Sequence, residues 1–417
     1  MRVLWLCNVI LPIIADNLGK GAAPLGGWLT GMLNPLINRE EVSIGICFPI
    51  AKGDKLLLGQ VEGIKYYGFP ENTSVPYKYD RSVEQYLKKA IDDFHPDIVH
   101  IFGTEYPHSL AMTKVFGQPD RMVINIQGLA SVLTKYYYAN VPSNVVSRYT
   151  FRDFVKQDNI RQQKKKFSKR GIFEIEALNN VNHVIGRTDW DEACTSQINP
   201  NAQYHFCNET LRDEFYKHTW DIDKCDKYSI FLSQVGYPIK GFHYLLEAMP
   251  QILKRFPETQ IYTTGNNVLD ISRLRISSYH KYIAELIVKN KLEEKVHFLG
   301  FLNEYEMCQR FLKSHVFVSP SIIENESNSV SEAKILGVPV VASYVGGVTN
   351  RITNGVDGYI YQHNAPYMLA YYICKLFNNN ELSVKMSVNA RKHAIDTHSI
   401  FDNTNKLMSI YTKMLGI

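Results

Sequence analysis

The stretch VFVSPSIIENESNSVSEAKILGVPVVASYVGG, residues 316–347, carries the clearest structural pattern in the 417-residue chain. Its apolar start, residues 316–318, predicts a short buried strand that the following proline and serines end. A helical pattern resumes near Ser329 and stops at Gly337. The apolar residues 338–343 then predict a second strand. This part of the chain is therefore expected to form a strand, a polar loop, a helix and a strand.

Two glutamates, Glu324 and Glu332, lie in this segment with seven residues between them. In one continuous helix their carboxylates would be roughly 12 Å apart along the axis, too far to bind one ligand end to end. A loop followed by a helix instead allows Glu324 to lie beside the helix start and Glu332 on its first turn. The backbone N–H groups of Asn328 and Ser329 would then form an anion site that suits a nucleotide diphosphate.

A simpler interpretation of both glutamates stays open at this point. Ser329 and Glu332 have the Ser-x-x-Glu spacing of a capping box, so Glu332 could cap the helix and bind no ligand. Glu324 could equally be a solvated acid in the loop.

The pattern Glu-x7-Glu-Ala, followed by GVPVVAS and Gly-Gly, resembles the signature of the retaining family 4 glycosyltransferases. The resemblance implies an α/β GT-B fold, in which two Rossmann-like domains face each other across a cleft and a final helix returns to the first domain. It also implies a hexosyltransferase that retains anomeric configuration and needs neither metal nor cofactor. The expected donor is a UDP- or GDP-sugar, with Glu324 orienting the sugar, Glu332 at the ribose, and Asn328 and Ser329 at a phosphate.

Length and composition agree with two soluble globular domains. The chain is 45% apolar and 21% charged, and its seven cysteines are scattered without a C-x-x-C pair. This usage predicts free thiols in a reducing compartment, hence the cytoplasm. The apolar run 3–14 is interrupted by Asn8 and Pro12, which favours a first buried strand over a signal peptide. Any membrane contact is expected to be peripheral, since no apolar run reaches about 18 residues.

The domain division follows from the order of the predicted elements. We expect a first, acceptor-binding domain over residues 1–208, joined by a helix at about 400–417, and a nucleotide-sugar domain over 209–399. Apolar residues at helical spacing predict a helix over residues 82–94. The chain is expected to close with helices at residues 366–378, 381–397 and 401–415.

Further candidates for the donor site come from residues that match the family pattern. Lys240 matches the lysine that neutralises the diphosphate, whereas Gln234 or Val235 stands where the family has an arginine. Gln127 replaces a histidine that touches the donor sugar, and its amide can hydrogen-bond a sugar hydroxyl. The resemblance implies same-face transfer assisted by the leaving phosphate, which requires no dedicated protein base and therefore tolerates this exchange.

Three more residues are expected near a phosphate. Gly26 and Gly27 stand where similar transferases bring a Gly-Gly pair to the donor phosphate, although a plain tight turn fits them equally well. Arg187 follows a predicted strand, where it could contact a donor or acceptor phosphate or pair with Asp189 or Asp191. His100 matches the first histidine of a family DvvHvH pattern, and its role could be catalytic or structural.

The strongest charge feature is the segment 148–170, which contains nine Lys and Arg residues against two Asp residues. Its net charge of +7 exceeds the +5 of the whole chain, so the remainder is slightly acidic. With aromatic residues nearby, the segment suits an anionic lipid surface or a phosphorylated lipid acceptor. A solvated face is the alternative. Nucleic acid is not expected, because no nucleic-acid module accompanies the segment.

The sequence thus favours a retaining glycosyltransferase on the inner face of the plasma membrane, acting on a lipid-linked or surface-polysaccharide acceptor. Two alternatives remain at this stage. One is a sugar-nucleotide epimerase with the same GT-B fold. The other is a non-catalytic polyanion-binding protein. It is suggested by two differences from the family pattern, the missing arginine and the glutamine at position 127.

Overall fold

The computed structural model describes residues 1–20 and 27–417. The chain divides into two compact units, each with its own sheet. The first unit comprises residues 1–135, 166–212 and 398–417, and the second comprises residues 136–165 and 213–397.

The sheet of the first unit has eight strands in the order β3-β4-β2-β1-β5-β6-β7-β8. All neighbours are parallel except the β3–β4 pair. Its strands are β1 Arg2–Leu6, β2 Ser43–Ala51, β3 Leu57–Val61, β4 Ile64–Glu71, β5 Ile98–Phe102, β6 Met122–Asn125, β7 His183–Gly186 and β8 Gln203–Phe206. The central strands are apolar on both faces because helices cover both sides of a parallel sheet.

The second unit has a six-stranded, fully parallel sheet in the order β11-β10-β9-β12-β13-β14. Its strands are β9 Asp226–Leu232, β10 Gln260–Thr263, β11 Val296–Phe298, β12 Ser314–Ser319, β13 Val340–Ser343 and β14 Tyr359–Tyr361. Each parallel connection requires a crossover, and helices supply most of them. The two doubly wound sheets confirm the predicted pair of Rossmann-like domains.

A helix follows most of the strands along the chain. They are α1 Pro12–Asn17, α2 Gly27–Ile37, α3 Ser82–Phe94, α4 His108–Phe116, α5 Ala130–Leu133, α6 Ser143–Val146, α7 Phe151–Lys156, α8 Ile160–Asn179, α9 Asp189–Ile198, α10 Asp213–Tyr216, α11 Phe242–Leu253, α12 Ser278–Lys289, α13 Glu304–Leu312, α14 Asn328–Leu336, α15 Pro366–Phe377, α16 Asn380–Thr397 and α17 Ile400–Leu415. Short 3-10 turns cover Pro119–Arg121, Thr134–Tyr136, Pro238–Lys240 and Gly346–Asn350. In the described part of the chain, none of these helices combines the length and apolarity that crossing a bilayer requires.

Helix α17 belongs to the first unit, as the predicted return of the final helix requires. Its buried Tyr411 accepts a hydrogen bond from the indole N–H of Trp5 at 3.2 Å. The Tyr411 hydroxyl also lies 2.6 Å from Nδ1 of His100, whose side chain is fully buried. Burial lowers the pKa of His100 to about 3, so its imidazole is neutral. These contacts support the structural alternative for His100.

Residues 136–165 pack with the second unit, whereas the sequence placed them in the first domain. The buried carboxylate of Asp153 accepts a hydrogen bond from the Ser278 backbone N–H at 2.8 Å. Nε2 of buried His243 lies 3.1 Å from the Ala139 carbonyl. These contacts join segments more than 100 residues apart in sequence, so local patterns could not predict them.

Candidate active site

A pocket lies at the carboxyl ends of β9 and β12 in the second unit, where ligands of parallel α/β sheets bind. Three chain segments contribute to it. Its lining consists of Leu232, Ser233, Gln234, Lys240, Phe317, Val318, Ser319, Pro320, Ser321, Glu324, Glu326, Ser327, Asn328 and Ser329. The pocket thus includes four of the predicted donor-site residues: Glu324, Lys240, Asn328 and Ser329.

Two glycines fix the loop that carries Glu324, because the neighbouring backbone leaves no room for a side chain. A Cβ on Gly241 would lie 1.9 Å from the Pro320 carbonyl oxygen, and Gly241 also has a left-handed φ of 71°. A Cβ on Gly346 would lie 1.8 Å from the Glu324 carbonyl oxygen. The Gly347 N–H donates to that same oxygen at 3.1 Å. The Lys-Gly, Glu-x7-Glu and Gly-Gly motifs therefore form one structural unit.

Lys240 and Glu324 form an ion pair in the pocket, with 2.6 Å between Nζ and Oε1. The Ser321 hydroxyl donates to the same carboxylate oxygen at 2.7 Å. Burial opposes the charge of Lys240, but the adjacent Glu324 carboxylate outweighs it and raises the pKa of the lysine above its ordinary value. Lys240 is thus positively charged in a partly buried site, where a cation binds phosphate most effectively.

The N-terminus of α14 opens into the same pocket. The N–H groups of Val330 and Ser331 donate to the Ser327 carbonyl. Among the described residues, no acceptor pairs with the N–H groups of Asn328 and Ser329. The Ser329 hydroxyl is 2.7 Å from that of Ser233 on the opposite side of the pocket. These features give α14 an N-terminal anion site next to a lysine.

The predicted capping box is wrong. The N-cap of α14 is Ser327, and its side chain makes no capping hydrogen bond. Helix α14 begins at Asn328, so Ser329 and Glu332 both lie inside it. The predicted stop at Gly337 is confirmed, since this glycine ends the helix with a φ of 83°.

Glu332 is buried on α14 and lies outside the pocket lining formed by the described residues. Its predicted contact with the ribose stays a prediction. Gln234 is part of the lining, whereas Val235 is buried. Gln234 therefore occupies the pocket side where the family arginine was expected.

A second ion pair beside the pocket was not predicted from the sequence. The carboxylate of Glu326, a lining residue, is 2.5 Å from Nε of Arg351, and both side chains are at least nine-tenths buried. Arg351 directly follows the 3-10 turn Gly346–Asn350 that contacts the Glu324 backbone. Sequence periodicity contains no signal for this pair, because its members are 25 positions apart with helix α14 and strand β13 between them.

Gln127, Arg187 and Glu209 form a polar cluster in the first unit. Nε2 of Gln127 donates to the Glu209 carboxylate at 2.5 Å, and the buried Arg187 guanidinium lies 2.9 Å from that carboxylate. The guanidinium also donates to the Ile126 carbonyl, while the Arg187 backbone N–H donates to Asp191. Arg187 thus has structural partners at the carboxyl ends of β6 and β7. The predicted donor contacts of Gln127 and Arg187 stay predictions.

Of the predicted Gly-Gly pair, Gly26 lies outside the described residues. Gly27 begins α2, and a Cβ on it would lie 2.4 Å from the aliphatic part of the Arg212 side chain. This close approach gives Gly27 a packing role, and its contact with a donor phosphate stays a prediction. In the part of the chain that the structure describes, no group of three or more His, Cys, Asp or Glu side chains is placed to bind a metal ion.

The two sheets with their helices have the GT-B fold, which the structural neighbours share. Residues 213–393 match the family model described as glycosyl transferases group 1. The matched region is the part of the chain that is similar to this family, and it contains the whole pocket described above.

Two curated relatives show how far sequence similarity extends. The putative glycosyltransferase YtcC of Bacillus subtilis is 27% identical over 421 residues, which cover 100% of this chain and 93% of YtcC. The uncharacterized glycosyltransferase MJ1607 of Methanocaldococcus jannaschii is 26% identical over 205 residues. That alignment covers 48% of this chain and about half, 49%, of MJ1607.

Solved structures share the fold at low sequence identity. Sucrose-phosphate synthase from Thermosynechococcus elongatus aligns over 100% of this chain and 99% of its own, with a TM-score of 0.73 and 14% identity. HepE of Anabaena, solved with UDP and glucose, aligns over 99% of this chain and 100% of its own, with a TM-score of 0.68 and 15% identity.

Proposed function

We propose that this protein is a glycosyltransferase that transfers a hexose from a nucleotide sugar with retention of anomeric configuration. The observation that supports this most directly is the pocket in which Lys240, Glu324 and the open N–H groups of α14 converge. A lysine and a helix N-terminus together favour a diphosphate. A uridine nucleotide is the first choice, because HepE, which shares the fold, was solved with UDP and glucose.

In this proposal the pocket residues have separate tasks. Lys240 and the amides of Asn328 and Ser329 bind the diphosphate and stabilise the negative charge that grows on it as the glycosidic bond breaks. Donor binding redirects Glu324 from Lys240 to the sugar hydroxyls. An acceptor hydroxyl oxygen then bonds to the anomeric carbon from the face that the diphosphate leaves, and its proton passes to the leaving phosphate oxygen. Neither a metal ion nor a cofactor takes part.

We further propose a lipid-linked or polysaccharide acceptor at the cytoplasmic face of a membrane. The support is the excess of nine basic residues over two acidic residues in the segment 148–170. Among the structural neighbours, WaaG is a glycosyltransferase involved in lipopolysaccharide biosynthesis.

A nucleotide-sugar panel tests the donor proposal. Purified protein is titrated calorimetrically with UDP-glucose, UDP-N-acetylglucosamine, GDP-mannose and ADP-glucose, and slow hydrolysis of each is followed by release of the nucleotide. We expect one donor to bind and to be hydrolysed. Glu324→Gln should retain nucleotide binding and lose roughly 100-fold in hydrolysis, because the sugar is no longer oriented. The exposed Glu293→Gln is the matched control and should behave as wild type.

Two outcomes contradict the proposal. Failure to bind any nucleotide sugar would favour a binding protein that has kept the fold. Conversion of the donor into an isomeric nucleotide sugar, without an acceptor, would identify an epimerase.

A further inference from the structure

Helix α7 exposes several large apolar side chains to solvent on one face. Phe151, Phe154 and Val155 are 59%, 66% and 63% exposed, and Tyr149 just before the helix is 55% exposed. The three helical residues have i, i+3 and i+4 spacing, so they share one side of the helix. Isolated exposed apolar residues are ordinary, but four large ones within seven residues are a local concentration that indicates a binding site.

The opposite side of α7 is anchored to the second unit. The side chain of Thr150 caps the helix by accepting from the Asp153 N–H, and the fully buried Asp153 carboxylate accepts from the Ser278 N–H. Arg148 adds an ion pair with Glu285 at 2.8 Å. The apolar residues are therefore presented by an ordered helix and not by a loose loop.

Some charged side chains on and near α7 form ion pairs, whereas others are exposed to solvent. Arg148 pairs with Glu285, and Arg152 pairs with both Asp153 and Asp158. Within residues 148–165, six basic residues outnumber two acidic ones. Three of the six are exposed to solvent and appear in no ion pair among the described residues: Lys156, Arg161 and Lys165. The apolar face thus lies in a segment whose available charge is positive.

We propose that the apolar face of α7 inserts into the interface of an anionic bilayer while the exposed basic residues contact lipid phosphates. An apolar face with neighbouring cations matches the two components of peripheral membrane binding, namely burial of apolar area and attraction to anionic headgroups. The inference deepens the proposed membrane location. It assigns the main contact to Phe151, Phe154 and Val155, since the ion pairs described above already engage part of the basic segment.

Vesicle flotation of the full-length protein tests this assignment. The vesicles contain either phosphatidylcholine with phosphatidylglycerol or phosphatidylcholine alone. We expect wild type to bind the anionic vesicles, and Phe151→Ser/Phe154→Ser to bind at least about tenfold more weakly, because two apolar side chains are removed from the contact. Tyr367→Ser/Tyr371→Ser on α15 is the matched control, since these aromatic residues are similarly exposed, and it should bind as wild type.

A reporter variant checks the geometry independently. Phe154→Trp should show a blue-shifted emission component with anionic vesicles, because the indole enters an apolar environment. Unshifted emission, unchanged flotation of Phe151→Ser/Phe154→Ser, or a wild type that floats with neither vesicle would overturn the proposal. A wild-type dimer that this double variant abolishes would do so as well, since the face would then bind a second copy. Donor binding is measured separately, so failure here leaves the proposed sugar transfer untouched.

Discussion

At the scale of single residues, Lys240 carries the largest predicted share of diphosphate binding. Gln234 lines the pocket near the position where a second cation was expected, so fewer positive charges line the proposed diphosphate site. We expect Lys240→Met to weaken UDP binding by about 10- to 100-fold, the value of one charge-assisted contact in a partly buried site. Calorimetry measures the change. The exposed Lys254→Met serves as control, and equal affinities for the two variants would remove Lys240 from the diphosphate site.

A substitution of Glu332 can distinguish a role in nucleotide binding from a role in packing. The capping alternative is excluded by geometry, since the helix begins four residues earlier at Asn328. If Glu332 binds the ribose hydroxyls, Glu332→Gln should weaken UDP binding about tenfold with little effect on the midpoint of thermal unfolding. Titration with UDP and a melting curve provide the two measurements. A lower midpoint with unchanged affinity would show that Glu332 acts only in packing.

At the scale of elements, the turn Gly346–Asn350 and the residue after it hold the loop between β12 and α14 in place. The Gly347 N–H contacts the Glu324 carbonyl, and Arg351 pairs with Glu326 inside the protein. We expect Arg351→Met to destabilise the protein by about 3–5 kcal/mol, because it leaves a buried carboxylate without this partner. The KM for the donor should also rise as Glu324 loses its position.

A double-mutant cycle distinguishes this pair from general packing. Glu326→Met/Arg351→Met should cost less in urea unfolding than the sum of the two single changes, because it removes the uncompensated charge together with the pair. The exposed Lys217 pairs with Glu214 in the same unit, and Lys217→Met should leave the unfolding midpoint nearly unchanged. Additive costs for Glu326 and Arg351 would rule out the proposed coupling.

Helices and strands whose apolar residues recur at regular spacing were predictable from the sequence, whereas the contacts between distant segments were not. Helix α3 spans residues 82–94 as predicted, and the three closing helices begin and end within one residue of their expected bounds. The motif segment forms the predicted strand, loop, helix and strand. Two long-range contacts could not be predicted, because nothing in the local sequence pattern signals them. They are the ion pair of Arg351 with Glu326 and the hydrogen bond from the Ser278 amide to Asp153. The N-cap of α14 was assigned to Ser329 instead of Ser327 because both serines are acceptable caps.

At the scale of the whole molecule, the open question is which parts of the two units respond to the nucleotide. Hydrogen exchange answers it, because a ligand lowers exchange where it satisfies or stabilises backbone N–H groups. We expect UDP to protect peptides from three parts of the second unit: residues 232–241, residues 319–336 and residues 343–351. These contain the lining of the pocket and the turn that supports its loop. Lys240→Met should reduce the protection at a fixed UDP concentration, while Lys254→Met should not. Peptides with Gly27, Gln127 and Arg187 test the remaining predicted donor contacts in the same experiment, and protection limited to those peptides would show that the pocket at α14 is not the nucleotide site.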